Sequence, residues 1–505
     1  MSFWPCTRVS VALRLAFVAV FPVGAWWCGL LAGSMGGNVP LDPAIESELV
    51  VRPSIGHTPS KIVSELTAAG LVSVRVADEI PGRHTYLVTH VPQPGVGLPQ
   101  LEAILDDLVV SGIATWAEVN YQSQTAEGKT DSLWVTGIGL EDWFTQQYLV
   151  TTLGLPGAHR RTLGQGVVVA ILDTGMDVSH PRTIGPMAPG AWSFISNSSS
   201  VSDIGNSLDD DGDGLTDEGA GHGTFVASLI RLVAPQSRLL PIQVLDSEGR
   251  ADNYHVAKSM YYAIDHGAHV INMSMGTTYR SQAMEEATAE AFDNGIVVVG
   301  SMGNHGVSEP REFPGSDGNA LGVAATDQLD LVAPFSNFGP RTDLCAPGMS
   351  PSPNSDPLPS VSVIGAIPGG GVAAWRGTSF AAALVSGTAA LVRAQHPEWP
   401  NLTVPPTALV DAVFALMAAG AVDITPNNPT YEGEIGAGRI SAHTTSLLSP
   451  PAPHMGDLDG DGMVSGADLG LLLGAWGTCG RCSADLDFDG MVDGGDLGLL
   501  LGNWS

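Results

Sequence analysis

Four short apolar runs constrain this chain more than anything else in it: VVVAILD (Val167 to Asp173), LLPIQVLD (Leu239 to Asp246), HVINMSMG (His269 to Gly276) and GIVVVGSMG (Gly295 to Gly303). Each has the length of a strand and carries almost no polar residue on either face, so each must be covered on both sides. The stretches between them, ADNYHVAKSMYYAIDHGA and QAMEEATAEAFDNG, have helical periodicity. Apolar strands alternating with helices specify an α/β body, a parallel sheet with helices on both faces. Such a sheet presents functional groups at the carboxyl ends of its strands.

The body does not use the whole chain. At 505 residues, length alone implies several domains. Arg8 and Arg14 precede the apolar run LAFVAVFPVGAWWCGLLAGS, which reads as an export signal over residues 1–34. Strand-like and helical segments then alternate from about Leu49 to Tyr121, including TYLVTHV, PQLEAILDDLVVSG and ATWAEVNY, and imply a small α+β domain within 35–130. The polar stretch QTAEGKTDS, Gln124 to Ser132, reads as a linker, and the proline-rich 448–456 as a second. Residues 457–505 hold a 28-residue repeat, DLDGDGMVSGADLGLLLGAWG and DLDFDGMVDGGDLGLLLGNWS. The formal charge of −31 argues against nucleic acid or an anionic membrane surface and favours cations. No segment after the signal is apolar enough to span a membrane.

Three motifs fall where the sheet gathers its strand ends: VAILDTGMD with Asp173, GHGTFVAS with His222 opening a helix, and GTSFAAALVSG with Ser379 at a helix start. Taken singly, these are a turn, a helix cap and a capped helix N-terminus. Together they supply a nucleophile, an imidazole base and a carboxylate that orients it. These blocks resemble those of the subtilisin-like serine proteases, the subtilases, which share the order Asp, His, Ser; the similarity runs from about Gln146 to Thr445. The resemblance implies catalytic Asp173, His222 and Ser379, and Asn304 of VVVGSMGNHG as oxyanion donor. It also implies that substrate is bound by Ser274, Met275 and Gly276 together with Ser301, Met302 and Gly303. Ala383 and Leu384 depart from the family's usual proline and histidine, and Ser301 and Met302 from its small residues, so the preferred side chain cannot be inherited. By the same resemblance the α+β domain is an inhibitory propeptide, cut near Thr125 to Ser132, ahead of a catalytic domain over 131–447.

Asp209, Asp211, Asp213 and Asp217 follow the spacing of a calcium loop, although Ala220 stands where a twelfth-position carboxylate belongs and Glu218 is an alternative. The alternative to a site there is a solvated acidic turn. The tail fits the calcium template better. Asp457, Asp459, Asp461, Ser465 and Asp468 form one loop, and Asp485, Asp487, Asp489, Asp493 and Asp496 the other. Each is followed by a short apolar helix. The pair resembles a type I dockerin, which implies a cohesin-like or cell-surface partner. Cys479 and Cys482 are a candidate disulfide, and Cys345 a buried core thiol.

The expected protein is a secreted, Ca2+-dependent serine endopeptidase acting on proteins or peptides through an acyl-enzyme and synthesised as a proenzyme. The alternatives are a non-catalytic calcium-dependent scaffold, and a metallohydrolase that uses the acidic loop with His222.

Overall fold

The computed structural model describes residues 41–127, 135–136, 141–350, 358–450, 456–458, 463–478, 484–486 and 491–504. Residues 1–34, read from the sequence as an export signal, lie outside these residues.

The first region is β1 (Ala44–Pro53), α1 (Pro59–Ala68), β2 (Val72–Ile80), β3 (Thr85–Val91), α2 (Leu98–Val110) and β4 (Ala114–Thr125). It has one strand more than the sequence alternation implied, because β2 and β3 form an antiparallel hairpin with irregular register. The antiparallel order is β4-β1-β3-β2. Leu101, Leu105 and Leu108 of α2 and Ile62 and Leu66 of α1 pack on Leu49, Val51, Val88 and Val119 as one core. Amphipathic helices on one sheet face explain that core, since the other face is free to cover something else.

The parallel sheet contains β5 (Val168–Asp173), β6 (Arg238–Gln243), β8 (Val270–Met273), β10 (Val297–Ser301), β11 (Ala320–Thr326) and β12 (Thr342–Pro347), ordered β12-β11-β10-β8-β5-β6 with the short Trp192–Ser193 at the edge. Two further strands, β7 (Arg250–Asp252) and β9 (Met275–Gly276), stand outside this sheet and pair instead with β4. Helices α3 (His222–Val233) and α6 (Thr378–Gln395) cover one face, with Phe225, Ile230, Phe380 and Leu384 buried against Val169, Val297 and Val323. Helices α4 (Asn253–Asp265) and α5 (Gln282–Asp293) cover the other, burying Tyr254, Met260, Met284 and Ala287 against Leu240, Ile271 and Val298. This is the expected α/β architecture.

Gln124 and Thr125, read from sequence as linker, are the end of β4. Thr125 pairs with Met275 and Gln124 with Gly276 on one side, while Ser123 pairs with Ala251 and Gln124 with Arg250 on the other. The strand has no local signal here because its partners lie more than a hundred residues away, and non-local backbone pairing overrides weak local propensity.

The first region is seated on α4 and α5. Glu118 accepts hydrogen bonds from Ser281 Oγ (2.7 Å) and from the N–H groups of Gln282 (2.7 Å) and Ala283 (3.2 Å), which start α5. Arg83 bridges Asp265 and Glu290, Trp116 donates to Glu286, and the rings of Tyr121 and Tyr279 stack at 3.6 Å.

In the tail, α7 (Gly466–Gly474) and α8 (Gly494–Gly502) repeat one another around Val464, Leu472, Leu486, Val492 and Leu500. Cys345 is a free, fully buried thiol in β12.

Candidate active site

Asp173 ends β5, His222 opens α3, and a buried carboxylate that the sequence reading missed joins the two elements. Asp203 is 2 % exposed and accepts from Gly221 N–H (2.7 Å), Thr224 N–H (2.8 Å), Thr224 Oγ (2.6 Å) and Thr174 Oγ (2.8 Å). Burial raises its pKa against these four donors. The two glycines around His222 are dictated by geometry. Gly221 has φ of 90°, and a Cβ on Gly223 would lie 2.1 Å from the carbonyl oxygen of Gly175. That close approach brings His222 Nδ1 within 2.7 Å of Asp173 Oδ1. Trp375 meets the imidazole edge-to-face at 5.5 Å and Phe380 packs beside it.

Ser379 is the second residue of α6 and fully buried. Its neighbour Thr378 orients Asn304: the Asn304 Oδ1 accepts from both the N–H and the Oγ of Thr378, each at 2.9 Å. That orientation leaves the amide nitrogen of Asn304 to donate to Glu127. Ser274 supplies a main-chain carbonyl to Ser379 Oγ (3.1 Å), and its own hydroxyl donates to the Ser379 carbonyl (3.0 Å).

All these groups converge on Glu127, two residues past the end of β4. One oxygen, Oε2, accepts from Ser379 Oγ at 2.6 Å and lies 3.1 Å from His222 Nε2; the other, Oε1, accepts from Asn304 Nδ2 at 3.1 Å. Glu127 is 2 % exposed. A carboxylate here stands in for the oxygens of a reacting carbonyl: one oxygen on the amide donor, the other against the hydroxyl and imidazole. Burial acts to lower the pKa of His222, but Asp173 and Glu127 together outweigh it and raise the pKa to about 10. An imidazolium between two carboxylates has no lone pair for a serine proton.

The sequence-expected substrate residues divide. Met275 and Gly276 pair with the bound segment, and Gly303 donates its N–H to Thr378 Oγ at 3.1 Å. Ser301 and Met302 are buried, and the Met302 sulfur accepts from Ser316 Oγ at 4.0 Å.

In the acidic loop, carboxylate oxygens of Asp209, Asp211 and Asp213 lie within 4.8 Å of one another, all three exposed. Asp217 does not join them, because its two oxygens accept the N–H groups of Asn206 (2.7 Å) and Ser207 (2.8 Å) and close the loop. Glu218 also stays outside that cluster, its pKa raised to about 7 by burial and by the neighbouring Glu248. No histidine lies in the cluster among the described residues, and His222 is engaged elsewhere, which leaves the metallohydrolase alternative without its ligand set.

In the tail, Asp468 and Asp496 are fully buried and equivalent. Asp468 accepts from Leu458 (2.6 Å) and Ser465 (2.7 Å) N–H groups, and Asp496 from those of Leu486 (2.5 Å) and Asp493 (2.8 Å). Ser465 and Asp493 cap the two helices, and Asp457 and Asp485 border the loops. Asp459, Asp461, Asp487, Asp489, Cys479 and Cys482 lie outside the described residues.

Comparison with known proteins agrees with this geometry. The profile of the Subtilase family matches residues 164–437. Subtilisin BL of Lederbergia lenta is 34% identical over 265 residues, covering 50% of this chain and 87% of that protein. Thermitase of Thermoactinomyces vulgaris is 31% identical over 268 residues, covering 51% of this chain and 86% of its own. Among solved structures, fervidolysin from Fervidobacterium pennivorans shares the fold with a TM-score of 0.57 at 20% identity, over 84% of this chain and 63% of that one. A family match over more than half the chain, with relatives spanned nearly end to end, carries the assignment: this chain belongs to the subtilase family of serine endopeptidases.

Proposed function

We propose that the protein is a secreted, calcium-supported endopeptidase made as a proenzyme, in which residues up to about 127 inhibit Ser379 until they are cut away. The observation that carries this reading is the convergence of Ser379 Oγ, His222 Nε2 and Asn304 Nδ2 on the single carboxylate of Glu127. It is supported by β4, which lies between β7 and β9 as an added strand, the pairing an extended substrate would use.

Catalysis then follows from the positions of the side chains. Once Glu127 leaves, His222 loses one of its two flanking carboxylates, its pKa falls, and the neutral imidazole accepts the Ser379 proton. Asp173 holds the tautomer through Nδ1 and stabilises the imidazolium. Ser379 Oγ attacks the substrate carbonyl, whose oxygen takes the place of Glu127 Oε1 beside Asn304 Nδ2 and the start of α6. His222 returns the proton to the leaving amine. Water repeats the sequence on the acyl-enzyme.

Asp209, Asp211 and Asp213 fit calcium, a hard ion bound by several oxygens. When bound it would neutralise and stiffen a loop that reaches the substrate edge, since Gly219 N–H donates to Ser247 O (2.8 Å) and Thr125 N–H to Gly249 O (2.9 Å). The tail is read as a dockerin-like calcium module that attaches the enzyme to a cohesin-like or surface partner, supported by its equivalent buried Asp468 and Asp496.

Replacing Ser379 by Ala tests the central reading. The variant is expected to keep its amino-terminal region uncut during expression and storage, while the native chain releases it. Normal cutting by purified S379A protein would refute self-processing through Ser379.

A further inference from the structure

One buried acidic side chain takes no part in the chemistry above. Glu312 is 1 % exposed and sits beside the bound segment. A Cβ built on Gly276 would lie 2.7 Å from its Oε2, and one on Gly303 would lie 2.4 Å from its Oε1. The carboxylate therefore occupies the notch between two glycine backbones, and both glycines are required for it to be there. The notch is held rigidly, because Thr277 and Phe313 exchange hydrogen bonds in both directions (3.0 and 2.8 Å) and fix residues 312–313 to the end of β9.

The register relates this notch to the substrate. Gln124 lies opposite Gly276, and Thr125 opposite Met275. Residues facing one another across an antiparallel pair project to the same side, so the direction of a Gly276 Cβ, towards Glu312, is also the side taken by Gln124. Ala126, in the turn that follows β4, comes two residues after Gln124, and Glu127 next to it reaches Ser379 Oγ through its side chain. Carrying the alternation of β4 one residue further would direct Ala126, taken as the acyl-side residue, at the Glu312 carboxylate.

We propose that Glu312 makes the cleft selective for a cationic side chain, lysine or arginine, on the acyl side of the scissile bond. This deepens the protease reading and rests on it. The chain's own segment has a fully buried alanine, Ala126, at this position, and His305 Nδ1 lies 3.3 Å from Glu312. An ammonium or guanidinium reaching past the Cβ position would gain a charge-assisted hydrogen bond in a water-poor site. An acidic side chain would meet like charge, and a large apolar one would have to desolvate the carboxylate without compensation. The overall charge of −31 adds a long-range attraction for basic segments.

The test compares kcat/KM of the processed full-length enzyme on peptides that differ only at this position: arginine against its neutral isostere citrulline, and lysine against norleucine. The expected preference for the charged member is about 10- to 100-fold, the size of one hydrogen bond to a charged group. In Glu312→Gln both ratios should collapse to within about threefold of unity. Ratios near unity in the native enzyme, or ratios that survive in E312Q, overturn the proposal. If E312Q does not fold, the native ratios decide alone. Hydrolysis of every peptide without charge preference sinks this inference only, whereas hydrolysis of none sinks the protease reading as well.

Discussion

His222 carries the clearest pH consequence. Between Asp173 and Glu127 its pKa stands at about 10, above its ordinary 6.5, so the closed arrangement holds a proton that the open one gives up as pH rises. Glu118 of β4, which accepts from the start of α5, acts in the same sense, its pKa raised by burial from 4.5 to about 7. Groups with pKa values raised by docking favour the docked state at low pH and lose that contribution as pH climbs through the raised values. Glu118 acts between about 4.5 and 7, and His222 between its open value and about 10. The isolated 41–127 region is therefore expected to inhibit the mature enzyme more weakly at pH 9 than at pH 6, by about tenfold or more. An inhibition constant that is flat or tightens over this range would contradict the arrangement. Two substitutions probe the framework around the histidine. Asn304→Ala should lower kcat by about 10²–10³ with little change in KM, the size known for this donor in a subtilisin. Asp203→Asn replaces an acceptor of four hydrogen bonds by a group that must point an NH2 at some of them. It should cost about 2–4 kcal/mol in a denaturant titration and slow turnover by misplacing α3.

At the scale of elements, the proposed inhibition makes the last four residues of β4 and the two after it the switch between closed and open enzyme. Thr125 N–H donates to Gly249 O, so Thr125→Pro removes that bond and should speed release of the amino-terminal region. Gel analysis of the time course checks it, and slower release would count against strand addition as the holding force. What was legible in the sequence follows from the same physics. Asp173, His222, Ser379 and Asn304 sit in short motifs whose glycines exist for local close approach, so their neighbours announce them. Glu127 and Asp203 are held by partners well separated along the chain, Glu312 lies against Gly276, Gly303 and His305, and single carboxylates in loops carry no periodicity or motif. The helices and buried strands were legible because apolar period is a local property. The β2–β3 hairpin and the end of β4 were not, since register is fixed only by partner strands.

For the whole molecule, the proposed calcium sites couple folding to ionic conditions. Removing calcium from the full chain should lower its melting temperature, and the tail, with the small core around Val464, Leu472 and Leu500, should melt first. Indifference of both transitions to chelator would remove calcium from the account. The central claim is that Ser379 is an activated nucleophile shut off by Glu127, and one measurement addresses it directly. A fluorophosphonate probe is added to the S379-intact chain before and after the amino-terminal region is released, with the modified residue mapped by mass spectrometry. The account predicts negligible modification while Glu127 is seated and rapid modification at Ser379 once it is gone. Equal labelling in both states, or none after confirmed release, would contradict it.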